Sequence, residues 1–158
     1  MITFRCTVPP DWIDFNGHMR DGYYVLAVSY ANDATMEALG LGPAYLAATQ
    51  RTLYNLDNHT RFLAEAYEGD AILVEMWLVD ADEKRLHLVS RISREADGVV
   101  LAENAAVLMH ISRQGARPSA APFPVEIKAR VDAMLAEHRT KGMPEFASTV
   151  GLSRKVGP

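Results

Sequence analysis

Two hydrophobic periods run along this chain, and the places where one gives way to the other divide it into elements. From Tyr23 to Val28 the residues are apolar almost without a break. A helix there would be apolar nearly all round, where a surface helix needs one stripe. The spacing predicts a helix over 22–39, with Asp21 as its cap and Gly40, Gly42 and Pro43 as its stop. At about 1.5 Å per residue it would span roughly 27 Å, the width of a sheet. Before it, residues 2–8 read as a short strand ended by Pro9-Pro10, and after it a short helical piece covers 43–50. Four strand-like segments follow, at 52–63, 71–81, 85–96 and 99–112. In the second, Ile72, Val74, Met76 and Leu78 alternate with Leu73, Glu75, Trp77 and Val79, and in the third Leu86, Leu88 and Ile92 oppose Arg85, His87 and Arg91. Asp82–Lys84 and Asp97-Gly98 are polar links of hairpin length, so the strands they join should pair antiparallel. Pro124 opens a last amphipathic helix, with Ile127, Val131, Met134, Leu135 and His138 on one face and Gly142 and Pro144 at its end.

The expected architecture is α+β: one strand, an enclosed helix, then an antiparallel meander that curves around it. A sheet of about five strands leaves one face and one edge open, and pairing with a second copy is the economical remedy. At 158 residues the chain is expected to form one domain over 1–140, with a polar tail at 141–158. A net charge of −4, without an arginine-rich segment, argues against nucleic acid. No apolar run approaches membrane-spanning length. One cysteine, Cys6, fits a reducing compartment, and the N-terminus lacks the pattern of a signal peptide, so a cytoplasmic protein is expected.

Candidate chemistry concentrates in Asp14-Phe15-Asn16-Gly17-His18-Met19-Arg20-Asp21. The segment sets a carboxylate and an imidazole in a turn just ahead of a helix N-terminus, whose unpaired N–H groups carry a partial positive charge. Such a place can hold an oxyanion while Asp14 attacks or activates water. The plainer reading is that Asn16-Gly17 is a turn and the two aspartates serve as turn former and cap. His18 suits a positioning or a proton-handling role. Alternation would put Asn55, Asp57 and His59 on one strand face, lining a pocket or facing solvent near a strand end. Trp12, Phe15, Tyr23, Tyr24 and Tyr54 cluster around these polar residues. Lys84, Arg85, Arg91, Arg113 and Arg117 form either a solvated edge or a phosphate-binding rim on an acidic protein. Cys and His spacing gives no metal site.

Asp14-Phe15-Asn16-Gly17-His18-Met19, with His59-Thr60-Arg61-Phe62-Leu63 and Gly69-Asp70, resembles the hotdog-fold acyl-CoA thioesterases of the 4-hydroxybenzoyl-CoA thioesterase-like group. The resemblance covers roughly residues 3–112. More narrowly, Pro9–Asp14, His18–Asp21, Tyr23-Tyr24, Leu53-Tyr54 and Lys84–Leu88 are similar to betainyl-CoA thioesterases, including the domain fused to some carnitine dehydrogenases. It implies a long helix wrapped by an antiparallel sheet, a homodimer or dimer of dimers with active sites at the interface, and hydrolysis of a small acyl-CoA without metal or redox cofactor. It implies Asp14 as nucleophile or general base and the N–H groups around Asp21 and Gly22 as oxyanion donors. Arg20-Asp21 stand where many relatives carry two asparagines, which leaves only backbone donors there. A betainyl group would be met by aromatic faces, Trp12 with Phe15, Tyr23 or Tyr54, and by Asp57. Two alternatives stand beside this: a hotdog hydratase, whose Asp and His lie five apart where Asp14 and His18 are four apart, and a non-catalytic acyl-CoA binding module.

Overall fold

In the computed structural model, which describes residues 1–142 and 150–152, the period-two segments build one antiparallel sheet. Its long strands are β1 (Ile2–Thr7), β2 (Arg51–Phe62), β3 (Ala71–Ala81), β4 (Arg85–Arg94) and β5 (Val100–Ser112), in the spatial order β1-β3-β4-β5-β2. A two-residue strand β6 (Ser119–Ala120), which no sequence signal announced, pairs with the end of β5. The helices are α1 (Asp21–Leu39), α2 (Pro43–Thr49) and α3 (Val125–Thr140).

The inner face of the sheet is apolar for the reason its periodicity implies. Ile72, Val74, Met76 and Leu78 of β3 join Leu86, Leu88 and Ile92 of β4 and Ala102, Ala106 and Leu108 of β5 in one buried cluster. Helix α1 completes it with Ala27, Val28, Ala31 and Leu39, the two alanines letting the helix backbone approach the sheet closely. Each buried Leu or Ile contributes on the order of 1.5–3 kcal/mol. This is the α+β hotdog arrangement, a long helix held in a curled antiparallel sheet.

Three details depart from expectation, and one lies beyond the described residues. β2 does not neighbour β3: the hairpin links at 82–84 and 95–99 tie β3, β4 and β5 into a meander, but the longer segment 63–70 carries the chain across, leaving β2 at the far edge beside β5. Asp21 is the first helical residue rather than the cap; Arg20 holds the cap position without a side-chain bond, while Asp21 Oδ1 accepts the Gly22 N–H at 2.8 Å. Nor is α1 wholly enclosed. Val25, Ser29, Tyr30 and Asp33 are exposed, so one stripe of the helix lacks a cover. Pro144, expected to close α3, lies outside the described residues, whereas Gly142 does take a left-handed φ of 76°.

Helix α3 is pinned from the far side. Ile127, Val131 and Leu135 enter the core, and fully buried His138 accepts the Leu78 N–H on Nδ1 at 2.8 Å. β1 begins opposite Met76, so the β3 amide beyond it has no strand to bond, and the imidazole takes that place.

Candidate active site

The loop ahead of α1 is a closed turn. Asp14 N–H donates to His18 O at 3.1 Å and Gly17 N–H to Asp14 O at 3.0 Å, and Ile13 bridges Met19. Gly17 has φ 86°, a conformation that side chains rarely adopt. The half-buried Asp14 carboxylate is oriented by Asn16: Oδ1 accepts the backbone N–H at 2.7 Å and Oδ2 the side-chain amide at 3.2 Å. Asn16 is therefore a positioning residue, and the turn fixes the carboxylate just before the helix.

Backbone bonds tie this turn to the mouth of α1 and to segment 63–66. Met19 N–H donates to Ala66 O at 2.7 Å, and Arg20 N–H to Trp12 O at 2.9 Å. Tyr24 is buried; its hydroxyl accepts the Ala66 N–H at 3.0 Å and contacts Ala64 O at 3.4 Å. Burial pushes the Tyr24 phenol up, which keeps it a neutral brace rather than an acid. Beside the mouth lies a cavity of about 290 Å³, lined by His18, Asp21, Tyr24, Phe62, Leu63 and Glu65 among others. His18 Nε2 sits 3.8 Å from Glu65 Oε1 and its Nδ1 3.4 Å from Met19 O. Glu65 was not singled out by sequence; only contact with His18 brings it in. The Gly22 N–H, an expected oxyanion donor, is held by the Asp21 carboxylate, which must turn aside before that donor can meet a ligand.

On β2 the structure overturns the expected alternation. A bulge at Leu56 shifts the register between Asn55 and Asp57. Asn55 faces inward opposite Leu108, but Asp57 and His59 face outward opposite Val107 and Ala105. The inward places belong instead to Asn58 and Thr60, both bonded by Asn104 Nδ2 of β5, at 2.8 and 2.7 Å.

The aromatic residues do not converge within one chain. Trp12 and Tyr23 stack on each other at 5.0 Å and 8°, Tyr24 is committed to the core, and Phe15 is 95% exposed at the turn. Tyr54 lies outward on β2, opposite Met109. A single-chain cage with Asp57 is therefore not formed, because the bulge and the Trp12–Tyr23 stack consume the surfaces it would use.

The basic residues divide into two groups. Lys84, Arg85, Arg113 and Arg117 lie at the end of the sheet where β4 begins and β5 finishes. Arg91 is six residues further along β4, about 20 Å at strand rise, and pairs with Glu103 at 3.3 Å. Arg85 bonds Asp82 at 2.7 Å. Burial alone would raise the Asp82 carboxyl, but the Lys84 and Arg85 N–H groups and the guanidinium hold it below its usual value. One continuous rim is not what the fold makes; Arg113 and Arg117 are the exposed members of the first group. Among the described residues no group of three or more His, Cys, Asp or Glu could hold a metal ion, and no helix is long and apolar enough to cross a membrane.

A long helix in a curled sheet, with a cavity beside its mouth and a carboxylate-bearing turn leading into it, is the arrangement of the hotdog-fold thioester hydrolases. Residues 8–131 match the thioesterase-like superfamily, and the chain belongs to it. It is 38% identical, over 99% of its length and 94% of the relative's, to betainyl-CoA thioesterase of Pseudomonas aeruginosa. It is 30% identical over 92% of its length to L-carnitine dehydrogenase/betainyl-CoA thioesterase of Rhizobium meliloti, of which it spans 28%. A Staphylococcus aureus protein solved in complex with CoA superposes with TM-score 0.84 at 28% identity, over 96% of this chain and 95% of that one.

Proposed function

We propose that this thioesterase hydrolyses betainyl-CoA to betaine and CoA, in the cytoplasm, as a homodimer or a dimer of dimers. The observation that carries the hydrolytic part is the Asp14 carboxylate, oriented by two bonds from Asn16, in the turn that leads into the mouth of α1. The carboxylate either adds to the thioester carbonyl or takes a proton from the water that does. The carbonyl oxygen becomes negative in the transition state and turns to the N–H groups around Asp21 and Gly22. The C–S bond then breaks, the thiolate leaves with CoA, and water supplies the oxygen of the acid. A thiolate is a good leaving group, so the reaction as proposed calls on no metal or redox group.

The betainyl substrate is supported by near full-length similarity to the Pseudomonas enzyme. Pairing of copies is supported by β2, a twelve-residue edge strand with Leu56, Phe62 and the following Leu63 exposed. Antiparallel pairing of two β2 edges would bring Arg113 and Arg117 of one copy toward the helix mouth of the other, where CoA phosphates could meet them. Thiol release from betainyl-, short-chain, aromatic and long-chain acyl-CoAs tests the reading. A clear preference for betainyl-CoA is expected; binding without release would make the chain a binding module, and hydration of an enoyl-CoA would make it a hydratase.

A further inference from the structure

Along its uncovered stripe, α1 shares with β2 a cavity of about 200 Å³, lined by Ser29, Asn32, Asp33, Leu53, Asn55 and Asn58 among others. Three features coincide there. Asn32 is 8% exposed, and its Oδ1 is buried without a hydrogen-bond partner. A buried carbonyl in that state is costly unless something electropositive lies beside it. Second, among the described residues the only charged one lining the cavity is Asp33, and the larger space adjoining it, about 510 Å³, adds only Glu37. No Lys, Arg or His among the described residues lines either space. Third, Asp33 and Glu37 stand four apart on one helix, a like-charge pair that weakens it, and among the described residues neither is in an ion pair.

We infer that this cavity holds the compact cationic head group of the acyl chain, with Asn32 and Asp33 as the residues that select for charge. The inference rests on the proposed acyl-CoA hydrolysis and replaces the aromatic cage, which the chain does not assemble, by carbonyl and carboxylate oxygens. A quaternary ammonium has no N–H to donate, so it is recognised by negative potential and by polarised methyl groups against oxygens. It also distributes the site over two copies. The nitrogen of a betainyl group is two bonds from the thioester carbonyl carbon, whereas ten residues of helix, about 15 Å, separate Gly22 from Asn32 of the same chain. The head group bound by one copy therefore belongs to a thioester held at the helix mouth of the other.

The test compares kcat/KM for betainyl-CoA with that for 3,3-dimethylbutanoyl-CoA, which has the same shape without the charge, in the native chain, Asp33→Asn and Asn32→Leu. Asp33 is exposed and Asn32→Leu is close to isosteric, so both variants should fold, which circular dichroism checks. Asp33→Asn is expected to cut the preference for the cation about fivefold, the scale of one charge interaction at contact distance on a solvent-exposed side chain. The loss should fall on KM for betainyl-CoA and exceed any change seen with the neutral substrate. Asn32→Leu should shift the ratio the same way. A ratio unchanged in both variants overturns the inference while leaving thioester hydrolysis intact. Titration of the ¹⁵N-labelled protein with tetramethylammonium gives a readout independent of turnover. Shifts of the Asn32 and Asn55 side-chain amides that Asp33→Asn weakens support the cavity assignment, even if no acyl-CoA were hydrolysed; their absence counts against it.

Discussion

Strands β3 and β2 are nearly equal in length, yet one is finished and the other is not. β3 has β1 on one side and β4 on the other; Ile72, Val74, Met76 and Leu78 fill the inner face and Trp77 is buried on the outer. Even its Leu78 amide, past the reach of β1, is answered by His138. β2 has β5 on one side only, carries a bulge at Leu56, and leaves Tyr54 to Asn58 exposed. The candidate chemistry follows the unfinished strand. Phe62 lines the cavity at the helix mouth, and Asn55 and Asn58 line the one along α1. Where the fold is complete, residues hold the domain together; where it is incomplete, they are available to substrate or to a second copy.

That contrast breaks if changes in the finished region spare stability or changes in the unfinished region destroy it. The largest effect is expected for Leu88→Ala. It removes a side chain 2% exposed in the middle of β4 and should cost about 2–5 kcal/mol in chemical denaturation. Asp14→Asn should leave that unfolding curve in place but lower turnover at least ~10²-fold, the scale of an acid–base group. Near-normal hydrolysis by this variant would remove Asp14 from the mechanism. Next comes Phe62→Lys, a charge placed at the open edge. Its expected signature is a concentration-dependent shift to monomer in analytical ultracentrifugation with loss of activity, while the monomer keeps its secondary structure.

Legibility divides along the same line. The meander was readable because one continuous apolar inner face enforces alternation along β3 and β4, and because Asp82–Lys84 and Asp97-Gly98 are links of hairpin length. α1 was readable from Gly40, which sits at φ 77° as a left-handed stop should. The carboxylate turn was readable too, since Gly17 and the spacing from Asp14 to His18 specify it locally. β2 was not. A bulge adds one residue with no hydrophobic signature on a strand that faces solvent, so plain alternation puts Asp57 and His59 on the face of Asn55, whereas Asn58 and Thr60 occupy it. Asn32 and Asp33 did carry a signal: a polar pair inside a helix that otherwise reads as enclosed. Glu65 had none, because contact with His18 depends on how segment 63–66 folds over the helix mouth.

The smallest effect expected is on pH, and it belongs to the finished region. His138 is buried, and desolvation lowers its pKa from the ordinary 6.5; an N–H can only donate, so the Nδ1 facing Leu78 has to be unprotonated. His110 is likewise fully buried, with Nε2 2.9 Å from the Tyr45 hydroxyl and Nδ1 2.8 Å from Ala121 O, and desolvation lowers its pKa as well. In the unfolded chain both titrate near 6.5, so below that pH the unfolded state binds protons that the folded state refuses. Stability is then complete above about pH 6.5 and falls as pH drops toward the folded values. Melting temperature should accordingly be level from neutral pH upward and decline below it. His138→Leu separates the contribution of α3. It leaves the Leu78 N–H unpaired, at a cost of about 1–3 kcal/mol at neutral pH, and should flatten the acid decline. A decline as steep in the variant as in the native chain would mean that protonation elsewhere unlocks the fold, and that the clasp between α3 and β3 is not the part that acid opens.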